Sequence, residues 1–324
     1  MRPRVSACPV RFLIHVHTNQ TFFTPNKRGM AEPVEPLAYG LLSYVLVACA
    51  AGFLPAMTLD GVISEFDVSI GAVSSVTGVL MALRIGVQAV SGPFLDHVGA
   101  PQCILITQAS LVVLALAIAS VASIEGYYVA RALIFLVLPV GDQPAHVVLM
   151  SSHFRHRLPL ATSAINAGYS TAGATTPLLL APVLALYGWR SAWRIFSGVV
   201  LMLWPLLRCK LRSGPLPVGS RGGITRRDSL VGQDGAAAGL PLRQVARSPS
   251  FYCLLLAGFT MMAWEGTVTV HLLLLMRREG RLSIGEASVA YSLLYLCAIC
   301  GKLLSGFLIP AVPRRSQAGC SKLP

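Results

Sequence analysis

Long runs without a single charge decide what this chain can fold into. Nothing between Glu35 and Asp60 is charged, and the same holds from Val98 to Ile124 and from Leu158 to Trp189. About 18 or more apolar residues in a row is the length at which a helix crosses a hydrocarbon core ~30 Å thick. A backbone in lipid must satisfy its own N–H and C=O groups, so runs this long are helices and not barrel strands. Composition points the same way, because 12% charged residues is about half the ~25% of a soluble domain and leaves too little polar surface for water. The expected fold class is all-α, a polytopic transmembrane helical bundle.

Eight spans are expected at about residues 37–58, 71–95, 103–122, 126–150, 160–186, 193–208, 250–275 and 285–309. They divide the chain into a basic cytosolic tail (1–35), a six-helix transmembrane bundle (36–209), a flexible basic cytosolic loop (210–248), a two-helix partial bundle (249–310) and a cytosolic tail (311–324). The tail at 1–35 reads as a cytosolic extension or as an organelle transit peptide. A net charge of +13 could suggest nucleic acid. Most of the Lys and Arg, however, flank the spans, and with both ends inside they follow the positive-inside rule. Membrane lipid is therefore the expected partner, and nucleic acid is not. The cysteines are scattered without disulfide or zinc spacing, and Cys297-x-x-Cys300 reads as small packing residues in an apolar helix.

Several short motifs fall in a telling order. Gly92-Pro-Phe-Leu-Asp96-His-Val-Gly99 resembles the G-x-x-x-D-R-x-G inner loop of the major facilitator superfamily, with His97 in place of the usual Arg. There Gly92 would let helices approach and Asp96 would cap or charge-pair at a neighbouring helix end. Arg131 is similar to that family's arginine in the fourth helix. His153-Phe-Arg-His-Arg-Leu-Pro-Leu-Ala161, continuing to Ala167-Gly168, resembles the opening of the fifth helix in monocarboxylate transporters and oxalate/formate antiporters. Gly188-Trp189-Arg190-Ser-Ala-Trp193 is similar to the entry to the sixth helix, and Gly301-Lys302-Leu-Leu-Ser-Gly306 to the end of the eighth. The resemblance implies a carrier of twelve helices in two repeated halves, of which this chain would supply eight. A chain truncated after the eighth helix is the matching expectation.

Charges inside spans point to function, since one at a helix centre costs ~2.5–3.5 kcal/mol and faces a cavity or a partner. Lys302 lies about seven residues, or ~10 Å, from the inner end of its span; the resemblance implies that it holds a substrate carboxylate. In the monocarboxylate branch an Asp stands one turn earlier, where this chain has Ala298. Arg131 and Asp142 share a face of one helix but sit ~16 Å apart along it, too far to pair; Arg131 either lines the cavity or braces the bundle. Glu265, in mid-span, either carries a coupling proton, pairs with Lys302, or is a hydrogen-bonded structural acid. Arg84 is read as a structural charge facing the bundle.

No hydrolase triad, phosphate-cradling loop or metal-ligand cluster is apparent, so neither an enzyme nor a cofactor is expected. The leading expectation is a secondary transporter of small organic anions, working by alternating access in the plasma membrane or an organelle membrane. The alternatives are a truncated paralogue that partners a full-length relative or an ancillary membrane subunit, and a carrier of another small solute such as a sugar or drug.

Overall fold

The computed structural model describes residues 34–154, 157–212 and 247–311. They belong to one compact unit, Val34–Pro324. The tails at 1–33 and 312–324 and most of the basic loop, 213–246, lie outside the described residues. Six stretches are long and apolar enough to cross a membrane, and one of them, Leu158–Leu211, is two helices joined at Gly188. With Pro249–Arg278 the described residues therefore form eight helices. These are α1 (Val34–Phe66), α2 (Ile70–Val98), α3 (Ala100–Ser120), α4 (Ile124–His153), α5 (158–187), α6 (189–212), α7 (Pro249–Arg278) and α8 (Ile284–Ala311).

Sequence chemistry sets the helix ends. Ser69 and Ser123 cap α2 and α4 by accepting the backbone N–H groups of Ala72 and Gly126, satisfying donors that a first turn leaves open. Asp67 ends α1 with a left-handed φ of 50°, the backbone state that closes many helix C-termini. Gly188 has φ 75°, which only a residue without Cβ adopts cheaply, so the chain turns there between α5 and α6.

The bundle has a largely apolar core in which a few polar residues, Arg131, Asp142, His146, Gln108 and Thr107, are buried, while Val79, Leu83, Leu179, Leu186, Met202 and Phe259 are exposed. Apolar side chains on the outside suit a solvent made of lipid tails. Helix α2 is the most peripheral, with 11% of its apolar window buried against 56% in α1, α3 and α4.

Helix α5 is central, packed on α1 and α8. A Cβ at Gly168 would meet Leu41 of α1 at 2.9 Å, and one at Gly173 would meet the Tyr295 ring of α8 at 2.5 Å. Helix α6 is held to α3 and α1 by indole and hydroxyl donors. Trp204 Nε1 donates to the Leu105 carbonyl, Ser197 Oγ to that of Val112, and Trp193 Nε1 to Thr58.

Two sequence expectations are corrected here. A Cβ at Gly92 would meet open space within 4 Å, so Gly92 is not a close-approach position; the last turns of α2 turn Ser91 and Leu95 inward and leave Gly92 facing out. Cys297 and Cys300 are exposed on α8, because that helix presents its Tyr291 and Tyr295 face to the bundle instead.

The α5–α8 contact makes Gly173 a stringent position. We expect Gly173→Ala to lower the thermal midpoint of the detergent-solubilised protein, through overpacking worth about 1–3 kcal/mol. An unchanged midpoint in a differential scanning fluorimetry melt would refute that contact.

Candidate functional site

The centre of the site is a break in α4. Pro144 has no N–H to continue the ladder and its ring crowds the carbonyl four residues back, so α4 runs as Ile124–Gly141 and then Gln143–His153. Asp142 sits between the two segments with extended backbone, φ −80° and ψ −162°. Its side chain does not cap the second segment; instead its carboxylate pairs with the Arg84 guanidinium across from α2. Room for the break comes from Gly141, where a Cβ would lie 2.9 Å from the Cys103 carbonyl oxygen of α3.

The Asp142 carbonyl accepts from Nδ1 of His146 at 3.1 Å, and Nε2 of His146 lies 2.7 Å from Ser43 Oγ on α1. Because a carbonyl only accepts, Nδ1 carries the proton and Nε2 accepts from the serine. Gln108 of α3 donates to the Ser43 carbonyl at 2.8 Å. Helices α1, α3 and α4 are thus tied together one turn from the ion pair.

From the break the polar groups continue toward α8. Gln143 Nε2 donates to Asn166 Oδ1 of α5 at 2.7 Å. Lys302 Nζ donates to the Asn166 carbonyl at 3.4 Å and lies 5.2 Å from the centroid of the Tyr169 ring. Arg84, Asp142, Gln143, Asn166, Lys302 and Tyr169 therefore form an open ring of polar contacts spanning α2, α4, α5 and α8. Lys302 thus reaches inward from α8 to α5.

Aromatic residues cover this ring on one side. Phe53 lies 4.9 Å from Tyr169 and 5.0 Å from Tyr295, and Tyr291 lies 5.0 Å from Tyr295, centroid to centroid. Thr269 of α7 shares hydrogen bonds with them: 2.8 Å to the Tyr295 hydroxyl and 2.8 Å from the Tyr291 hydroxyl to its carbonyl.

Two ion-pair clusters close the end of the bundle expected to be external. Asp60 of α1 accepts from Arg277 at 2.6 Å and Arg278 at 3.1 Å, both on α7. Glu65 accepts from Trp189 at 2.7 Å and from Arg190, which also donates to the carbonyls of Ala119 and Val121. A cavity of about 260 Å³ lies between them, bordered by Met57, Asp60, Leu184, Trp189, Arg277 and Ile284.

The remaining candidates lie elsewhere. Arg131 is buried between α1, α2 and α4, away from Lys302, beside a separate small cavity. Asp96 is exposed at the end of α2 and pairs with no described residue; Gly99 after it has φ 92° and closes the helix by donating its N–H to Leu95. The capping or pairing expected of Asp96 is therefore absent among the described residues, because the turn buries Leu95 and leaves Asp96 on its exposed side. Glu265 falls on α7, and its side chain lies outside the described residues. Gln143, His146, Asn166 and Tyr169 escaped the sequence reading. Uncharged polar residues carry no insertion penalty large enough to mark them, and only the Asp142/His146 spacing of four hinted at a shared face.

The profile of the Major Facilitator Superfamily matches residues 40–319. The chain belongs to that superfamily. No curated protein sequence matches it. Membership makes the chain a multi-pass membrane transporter in general terms and agrees with the all-α bundle.

The Arg84–Asp142 pair yields a double-mutant test. Removing one partner strands the other charge, so Arg84→Met or Asp142→Leu alone should each cost on the order of 3 kcal/mol, while the double variant Arg84→Met/Asp142→Leu should recover most of the loss. Additive losses in denaturation melts would show that the two side chains are not coupled.

Proposed function

We propose that this chain is a secondary transporter of small organic anions, monocarboxylate-like in substrate, that works by alternating access. The observation carrying this reading is the inward turn of Lys302 onto the ring at the α4 break. A cation held there at mid-depth by a carbonyl and an aromatic face offers charge-assisted hydrogen bonds to a carboxylate. Arg84 adds a second cation, with Asp142 as the group that a substrate carboxylate would compete against.

Arg131 is left out of this carboxylate site because the cavity beside it is too small for a carbon chain. The aromatic cover of Phe53, Tyr169, Tyr291 and Tyr295 and the Asp60 ion pairs would form the closed outer gate, opening as one half of the carrier rocks against the other. Resemblance of Gly301-Lys302-Leu-Leu-Ser-Gly306 to carboxylate-transporting branches supports the same substrate class.

Uptake into proteoliposomes tests this directly. Purified protein should accumulate at least one of radiolabelled lactate, pyruvate and oxalate. Lys302→Ala should reduce that uptake about tenfold or more, the cost of one hydrogen bond to a charged group. Uptake of none of the three, or uptake unaffected by Lys302→Ala, would overturn the assignment.

A second test addresses the gate. Asp60→Asn should weaken both pairs to α7 and raise the rate at which a cysteine placed at Met57 reacts with an impermeant maleimide from outside. An unchanged rate would remove Asp60 from gating.

A further inference from the structure

Arg131 stands apart from the polar ring, and no described residue offers it a counter-charge. The residue is 5% exposed, and its Nη1 has no hydrogen-bond partner. No carboxylate among the described residues pairs with it. The face of Phe135, 5.0 Å from Cζ, offsets part of the charge through the ring quadrupole. It accepts no hydrogen bond of ordinary strength.

A cavity of about 20 Å³ opens beside the guanidinium. Its existence follows from α1. Pro55 has no N–H for the Ala51 carbonyl, and the preceding residues Cys49–Phe53 form a π-turn in which the Leu54 N–H reaches back to the Cys49 carbonyl. Wide turns of this kind displace backbone from the regular cylinder. Ala51 and Gly52 of that turn line the cavity, together with Pro55, Thr77, Met81 and Tyr127.

The space holds one small particle, since a water needs about 10–15 Å³. The polarity of the walls chooses between particles. Arg131 brings a fixed positive charge and guanidinium donors, and Tyr127 brings a phenolic O–H. The Thr77 hydroxyl is committed to the Val73 carbonyl at 2.8 Å. The other lining side chains are apolar. A water there would leave the guanidinium uncompensated in a medium that penalises bare charge, whereas a single-atom anion neutralises it and accepts from both donors. An organic carboxylate exceeds the volume.

We propose that Arg131 and Tyr127 form a binding site for a monatomic inorganic anion, chloride in a cellular setting, enclosed between the π-turn of α1, α2 and α4. Occupancy ties three helices together and stabilises the fold independently of any organic substrate. The site is separate from Lys302, and the proposal does not rest on the carboxylate reading.

The experiment uses the full chain in detergent without organic substrate. Thermal midpoints are recorded while sodium gluconate is replaced by sodium chloride at constant ionic strength, and the NMR linewidth of chloride is followed with and without protein. Chloride should raise the midpoint saturably, and the protein should broaden the chloride signal until bromide displaces it.

Arg131→Met should abolish both effects. Tyr127→Phe keeps the ring and its packing, and so remains informative if the Arg131 variant does not fold; it should raise the half-saturating chloride concentration about tenfold. Lys302→Ala should keep the full response. Equal midpoints in gluconate and chloride, with no broadening, would mean that only water fills the cavity and would overturn the proposal. So would a response that survives in Arg131→Met or disappears in Lys302→Ala.

Discussion

Lipid offers no hydrogen bonds, and that constraint governs every polar residue in this bundle. The Arg84–Asp142 pair shows how far it reaches. Pro144 breaks the α4 ladder, the break frees Asp142 from capping, and the freed carboxylate neutralises the arginine in the middle of α2. Without Asp142 the arginine would be a bare charge at mid-membrane, and without Arg84 the carboxylate would be one. The register of α2 against α4 is thereby set by electrostatics as well as by packing. The same break turns the Asp142 carbonyl toward His146 and places Gln143 against Asn166, so one proline organises polar groups on three helices, α2, α4 and α5.

The principle holds at the ends of the helices, where several charges that read as lying outside spans are helical. Helix α1 extends to Phe66 and not to residue 58, because Asp60 and Glu65 meet Arg277, Arg278 and Arg190 on neighbouring helices. Such partly exposed pairs contribute little individually. Glu65 gains more from context: Arg190 also satisfies two terminal carbonyls of α3, Ala119 and Val121, and stacks 4.6 Å from Trp189. A single guanidinium thus closes α3, anchors the start of α6 and holds the end of α1.

The spans were legible in the sequence because length and absence of charge are properties of a segment taken alone. Pairing between helices was not. Helical periodicity puts Arg131 and Asp142 on one face but too far apart to pair; they do not pair, yet the helix breaks at Asp142 instead of continuing one face, and periodicity could not say that α2 would bring Arg84 to Asp142 from 58 residues away. Arg84 is legible in the sequence as a bundle-facing charge and a charge-pair candidate, but the identity of its partner is not. Lys302 was found from its depth in its helix, whereas its contacts, the Asn166 carbonyl and the Tyr169 ring, belong to α5 and carry no charge to announce them. Gly92 failed for the complementary reason: a small residue in a familiar motif permits close approach, but only a neighbouring helix makes it happen.

The π-turn of α1 links the regions described above. Phe53, its last residue, packs between Tyr169 and Tyr295 over the polar ring. Gly52 faces Thr269 of α7, where a Cβ would come within 3.0 Å of its methyl carbon, and also lines the cavity beside Arg131. Two neighbouring residues therefore touch the aromatic cover, α7 and the Arg131 cavity at once. A regular α-turn could not hold all three contacts, since removing the extra residue would rotate everything beyond it by about 100°. Displacing α7 against α1 moves Thr269, and with it the hydroxyls of Tyr291 and Tyr295 that bond to it. The aromatic cover, α7 and the Arg131 cavity are thus neighbours through this one turn.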